Sequence, residues 1–166
     1  MSFWDGVGHD IDMKCIIPSV ICEPLIDVVD SKYIVSTPSK IFEIDLYTCT
    51  KEDLDFSSNY EVTFTRNDVF SGLICWFDCT FSKLDNQKEL STSPYSKATH
   101  WKQTTFYAEK DITVSRGDVL KGSIAVRKSK ANFRELDVKI SYNLKGYCSD
   151  NSFYQLYKIR QRIMYN

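Results

Sequence analysis

The sequence predicts an all-β domain: an antiparallel β-barrel of sandwich or jelly-roll kind, with a short helical arm at its N-terminal end. Three observations predict it. Apolar residues recur at every second position over most of the chain. Short clusters of Ser, Pro, Asn, Asp and Gly punctuate these runs. The runs themselves are filled with β-branched and aromatic residues, which suit a half-buried pleated surface. With 166 residues, 43% of them hydrophobic, the chain has room for one well-filled core and hardly for two ordinary domains.

In chain order, "KIFEIDLYT" (40–48) alternates Phe42, Ile44 and Leu46 with Glu43 and Asp45, which predicts a strand with one wet face. "YEVTFTR" (60–66) repeats that logic with Val62 and Phe64 against Thr63 and Thr65. "GLICWFDCTF" (72–81) is more apolar, with Leu73, Cys75, Phe77, Cys79 and Phe81 on one side, and reads as a single central strand. "THWKQTTFY" (99–107) reads as a strand with His100 and Trp101 at its mouth. "VLKGSIAV" (119–126) follows, then "ELDVKISYNL" (135–144), which places Leu136, Val138, Ile140, Tyr142 and Leu144 on one face, and "NSFYQLYKI" (151–159) supplies a last strand. Turn signals separate them: "VSTPSK", "FSSN", "TRND", "KLDNQKE", "SRGD" and "RKSKANF". No segment repeats at a fixed period.

Residues 1–24 break the alternation. Phe3, Trp4, Val7, Ile11, Met13, Ile16 and Ile17 read as one or two short helical turns, interrupted by Pro18 and Pro24. So much apolar surface on a terminal piece has two readings: a flap folded onto its own core, or an arm that docks on another subunit. The remainder, 25–166, forms the barrel domain.

A formal net charge of -1 gives no general reason to expect nucleic acid or an anionic membrane as partner. Acidic residues crowd positions 23–61, and basic ones dominate from Lys121 onward. No apolar run approaches the ~20 residues of a membrane-spanning helix. The six cysteines show no CxxC pair, and Cys75 and Cys79, four apart in a strand, would stand roughly 13 Å apart. With no secretory leader in "MSFWDGVGHD", reduced thiols in a cytoplasmic or nuclear protein are expected, and no metal site.

The chain carries no dinucleotide fingerprint, P-loop, HExxH or GxSxG. It has two histidines, His9 and His100. By itself His100 reads as a residue at a strand mouth with a local hydrogen bond rather than as a catalytic base. Glu52, Asp53 and Asp55 read as a solvated turn, with attraction of a basic partner a lesser reading. Trp76 and Trp101 read as core and wall residues. "RKSKANFR" (127–134) reads as a hairpin turn, since only Phe133 interleaves its charges and nucleic-acid binding asks for more aromatics.

The ordered set of fragments says more than any one of them. "STSP" (91–94) followed by "THWKQT" (99–104) resembles the C-terminal barrel of the type I protein arginine methyltransferases. "EPLIDVVD" (23–30), "FEIDLYT" (42–48), "EDLDF" (52–56), "RND" (66–68) and "RELDVKISYNLKG" (134–146) fall in that family's order, and the likeness spans residues 2–158. The family's usual Tyr-Gly-Phe-Asp-Met stretch stands here as "GHDIDM" (8–13), one residue longer and without the tyrosine.

The resemblance implies methyl transfer from S-adenosylmethionine to protein arginine, giving asymmetric dimethylarginine. It implies a Rossmann-like cofactor domain with two glutamates, whose motifs are absent from this sequence. The chain is therefore expected to bind no cofactor itself and to be catalytically incomplete. By carry-over, His100 belongs to the active-site carboxylate network, Trp101 shapes the arginine channel and Thr99 holds the loop. Phe3, Trp4, Val7, Met13 and Ile16 form the arm of a homodimer, and the partners are arginine-containing protein substrates. A non-enzymatic β-barrel interaction module is the alternative.

Overall fold

Nine antiparallel strands frame the described residues, which in this computed structural model are 14–132, 134–144 and 153–159. They are β1 (Leu25–Asp27), β2 (Phe56–Thr63), β3 (Asp68–Cys75), β4 (Asp78–Phe81), β5 (Lys88–Ser91), β6 (Gln103–Val114), β7 (Val119–Lys128), β8 (Leu136–Leu144) and β9 (Phe153–Ile159). They form a sheet ordered β1-β6-β3, a second ordered β2-β7-β8-β9, and the hairpin β4-β5. The all-β antiparallel expectation holds. Among the described residues the strands lie in two packed sheets and a hairpin, the sandwich form of the expectation, rather than in one closed ring.

Period two decides which side chains meet. In β7 and β8, Leu120 pairs Leu144, Gly122 pairs Tyr142, Ile124 pairs Ile140 and Val126 pairs Val138, so alternate residues of both strands share one face. On β9, Tyr157 opposite Val138 joins the same face. The other sheet contributes Phe70, Phe106, Ala108 and Val114 to the same core. Phe70 sets its ring edge-on between Phe64 (6.0 Å) and Tyr142 (5.7 Å), and Phe106 meets Tyr157 at 4.9 Å. Tyr157 also donates its hydroxyl to the Tyr107 carbonyl at 2.6 Å, which ties β9 to β6.

Gly122 is required by a close approach. The Tyr60 ring lies across it, and the Tyr60 hydroxyl donates to the Ser141 carbonyl at 2.9 Å. A Cβ at position 122 would stand 2.0 Å from that carbonyl oxygen and 2.5 Å from the Tyr60 hydroxyl.

Three expectations need correction, besides the turn read at "FSSN" (56–59), which lies within β2. First, "KIFEIDLYT" is not a strand, because Asp45 turns the chain in its middle. The Asp45 carboxylate accepts the Tyr47 N–H (2.9 Å), and its carbonyl accepts the N–H of Thr48 and Cys49. Leu46 is thereby left exposed, and Phe42 stacks on Phe56 at 4.2 Å. Upstream, Thr37 and Ser39 run beside β2. The Thr37 N–H donates to the Thr63 carbonyl, while the Thr37 and Ser39 hydroxyls accept the N–H of Thr63 and Glu61. The outer edge of β2 is satisfied without a partner strand.

Second, "GLICWFDCTF" is two strands. Leu73 and Cys75 of β3 pack on the core, where burial pushes the Cys75 thiol up to about 11. The chain leaves the sheet at Trp76–Phe77, and β4 pairs with β5 instead, so Phe77 and Phe81 are exposed. β3 is an edge strand, not a central one.

Third, Pro18 does not interrupt the helical arm. It sits in the first turn of α1 (Ile17–Ile21), where no backbone N–H is needed, directly after a 3₁₀ turn at Lys14–Ile16. The Ile21 carbonyl accepts Gln155 Nε2 of β9 at 3.2 Å, so this end of the arm rests on the chain's own sheet. Ile16 is half-buried. Phe3, Trp4, Val7 and Met13 lie outside the described residues.

Gly122→Ala is expected to lower unfolding stability by about 1–3 kcal/mol or more, because backbone as well as a ring blocks the added methyl; urea denaturation measures it. A second expectation concerns alkali. Burial holds the Tyr60 and Tyr157 phenols well above the usual tyrosine value. The unfolded chain releases these protons from about pH 10 while the folded one keeps them. Stability is therefore intact below pH 10 and falls as pH rises beyond it, by at most about 1.4 kcal/mol per pH unit for each phenol. Urea midpoints at pH 8 to 11 should show that fall, and Tyr157→Phe should flatten it.

Candidate functional site

The segment joining β5 to β6 carries His100 and Trp101, and serine chemistry gives it shape. Ser91 Oγ donates to the Asp78 carboxylate at 2.5 Å and accepts the Ser93 N–H at 3.2 Å. Ser93 in turn accepts the N–H of Tyr95 at its hydroxyl and that of Ser96 at its carbonyl. These are local serine turns, which hold a loop without a strand partner. At the far end the Lys102 N–H donates to the Thr99 carbonyl (3.2 Å), and Lys102 takes a left-handed φ of 56°. A lysine in that region is uncommon and must be held there by its surroundings.

This turn sets the rings outward. Trp101 is 56% exposed, and His100 is exposed beside it. Their rings meet at 6.2 Å with planes at 78°, and Trp101 meets Phe77 at 6.2 Å and 81°. Three rings thus stand in a row of edge-to-face contacts on the surface, each supporting the next. Trp101 is a wall residue rather than a core residue. Half-exposed Leu25, Ile26 and Val28 lie alongside, because β1 pairs with the first residues of β6. The Lys102 ammonium reaches Asp27 at 2.9 Å, and that hydrogen bond, with one from the Val28 N–H, holds the Asp27 carboxyl below its ordinary value.

Thr99 stands at the start of that turn. Its carbonyl closes the turn, while its hydroxyl is buried and has no hydrogen-bond partner among the described residues.

Beneath the loop, sequence reasoning missed two residues. Thr92 and Gln103 are 1% and 3% exposed, and they are the two buried polar residues among the described ones. Gln103 Nε2 donates to the Thr92 carbonyl at 2.7 Å, and its Oε1 accepts the Val29 N–H at 2.8 Å. Thr92 Oγ1 donates to the Phe77 carbonyl (2.9 Å) and accepts the Phe77 N–H (3.0 Å). Alternation with buried Phe106 would put Gln103 on the opposite, wet face, so nothing local marks it as buried. The one signal is its place inside "THWKQT".

Glu52, Asp53 and Asp55 behave as the solvated turn they were read to be. Asp53 accepts from the Thr50 N–H and hydroxyl in a capping box, and Glu43 pairs with Lys40. Asp55 accepts the Lys128 N–H.

His100, Trp101 and Phe77 thus form an exposed row of rings on a turn held from below. Comparison with known proteins is then decisive. Residues 1–147 match the family described as "Arginine methyltransferase oligomerization subdomain". The chain belongs to that family. It is 44% identical over 142 residues to Protein arginine N-methyltransferase 1 of Schizosaccharomyces pombe, covering 86% of this chain and 42% of that protein. It is 39% identical over 158 residues to Protein arginine N-methyltransferase 8-B of Danio rerio, covering 95% and 38%. Its fold is similar to a solved structure described as "Trypanosoma brucei PRMT1 enzyme-prozyme heterotetrameric complex with AdoHcy", with a TM-score of 0.88, 25% identity, and 96% and 50% coverage. Protein Arginine Methyltransferase 10 of Arabidopsis thaliana shares the fold at a TM-score of 0.79. The chain spans about two fifths of the length of the curated relatives it matches. These matches favour the enzyme reading over a non-enzymatic interaction module.

Proposed function

We propose that this chain is the oligomerization and substrate-facing part of a type I protein arginine methyltransferase, acting within a homodimer in the cytoplasm or nucleus. Its substrates are arginine-containing proteins and its product is asymmetric dimethylarginine. The observation that carries the reading is the exposed row His100–Trp101–Phe77 on a turn held by buried hydrogen bonds.

S-adenosylmethionine, when bound, supplies an electrophilic sulfonium methyl. No glycine-rich phosphate or nucleoside cradle stands in this sequence, and its binding is assigned to the part of the relatives that this chain does not span. A solved relative's description names AdoHcy, the thioether left after methyl loss.

The substrate guanidinium is planar and permanently charged, so it gains reactivity by being oriented rather than by being activated through titration. Trp101 offers a flat, apolar and polarisable face that restricts the guanidinium plane and excludes water from one side. Phe77 fixes the indole from behind. His100 presents ring nitrogens at the same rim, within reach of a carboxylate delivered across the cleft. The half-exposed strip Leu25, Ile26 and Val28 gives the wall an apolar shoulder against which a further domain can close.

In the longer protein, Trp101→Ala and His100→Ala should each lower kcat/KM for an arginine peptide by roughly tenfold to a hundredfold, the scale expected for a misplaced reactant. Transfer of labelled methyl measures this, and unchanged values in both variants would refute the reading. Removal of residues 1–24 should convert a dimer to a monomer in sedimentation velocity; an intact dimer would refute the role given to Phe3, Trp4, Val7, Met13 and Ile16.

A further inference from the structure

We infer that Gln103, acting with Thr92, is a positioning residue that holds the Trp101 loop in register with the rest of the wall. The inference rests on the reading of that loop as the substrate-facing wall. Thr92 and Gln103 are the two feet of loop 93–102, and the Gln103 carboxamide joins them directly. Its other end grips the Val29 N–H, where the chain leaves β1. Thr92 meanwhile takes both backbone groups of Phe77, the residue whose ring supports Trp101. Four remote stretches of chain (29, 77, 92 and 103) are thereby fixed by two side chains.

The choice of residue types is what points to positioning. The core of this domain is otherwise apolar or aromatic, and an apolar pair would bury more cheaply than a hydroxyl and a carboxamide. A fully bonded polar pair offers what apolar packing lacks, which is direction: each bond admits one orientation. Gln103 accepts and donates at once, and Thr92 Oγ1 does the same, so neither apolar isostere can replace them. Lys102, between Trp101 and Gln103, turns through its left-handed φ so that the indole faces out while the carboxamide faces in. The sequence thus spends two buried polar groups and one unusual dihedral on the aim of a single ring.

The test uses amide hydrogen exchange by NMR on this chain, with Gln103→Met, Thr92→Val and Thr92→Ser. The reporters are the N–H groups of Tyr95, Ser96 and Lys102, which are bonded within the loop and not to the clamp. Gln103→Met and Thr92→Val should each speed their exchange at least tenfold, while β7 and β8 amides stay within twofold of the parent. Thr92→Ser, which keeps the hydroxyl, should leave the loop within twofold. If Gln103→Met does not fold, Thr92→Val decides. Unchanged loop exchange overturns the inference, as does acceleration shared equally by β7 and β8, or a Thr92→Ser variant that behaves as Thr92→Val. In the longer protein, Gln103→Met should lower kcat/KM for an arginine peptide several-fold with the KM for S-adenosylmethionine within twofold; equal movement of both overturns it. Should Trp101→Ala leave methyl transfer intact, the functional reading fails, and the exchange data alone decide whether the clamp holds the loop.

Discussion

The two sheets are held together where aromatic rings cross between them, and the rest of the molecule is arranged around that contact. Phe70 wedges between Phe64 and Tyr142, and Phe106 lies against Tyr157. Each such pair contributes about 0.5–1.5 kcal/mol beyond the area it buries, and none can form unless alternation places it inward. β6 is the strand that matters most here. Its middle carries Phe106 and Ala108 into the core, and its first residue, Gln103, is the inner foot of the 93–102 loop. A loop mounted on such a strand inherits the rigidity of the core.

That arrangement explains why so little of the surface chemistry is conspicuous. The carboxylates of 43–55 are committed to caps, turns and two lysines, Lys40 and Lys51. The exposed rings at His100, Trp101 and Phe77 form a surface row, with half-exposed Leu25, Ile26 and Val28 on and just past the neighbouring strand.

Where the sequence was legible, one residue's neighbours along the chain decided its fate. β7, β8 and β9 followed from alternation alone, because every inward residue there has an inward partner across the ladder. The same rule failed at 40–48. There Asp45 offers its carboxylate and carbonyl to the backbone just ahead, and the turn it makes outweighs three alternating apolar side chains. It failed again at 72–81, where Thr92, fifteen residues downstream, takes both backbone groups of Phe77 and breaks the strand. Likewise Pro18, read as an interruption, fits the first turn of a helix because that position has no hydrogen bond to lose.

The sequence by itself determined the all-β class, the inward faces of the later strands, and the family, through the ordered motifs around "THWKQT", because these depend on local period and on an ordered set of short motifs. Only the tertiary structure decided that Trp101 faces solvent, that Phe77 stands behind it, and that Gln103 and Thr92 lie buried beneath. The reason is physical. Burial of a polar side chain depends on which remote backbone groups arrive to bond it, and Val29 and Phe77 reach that spot through the folding of other strands.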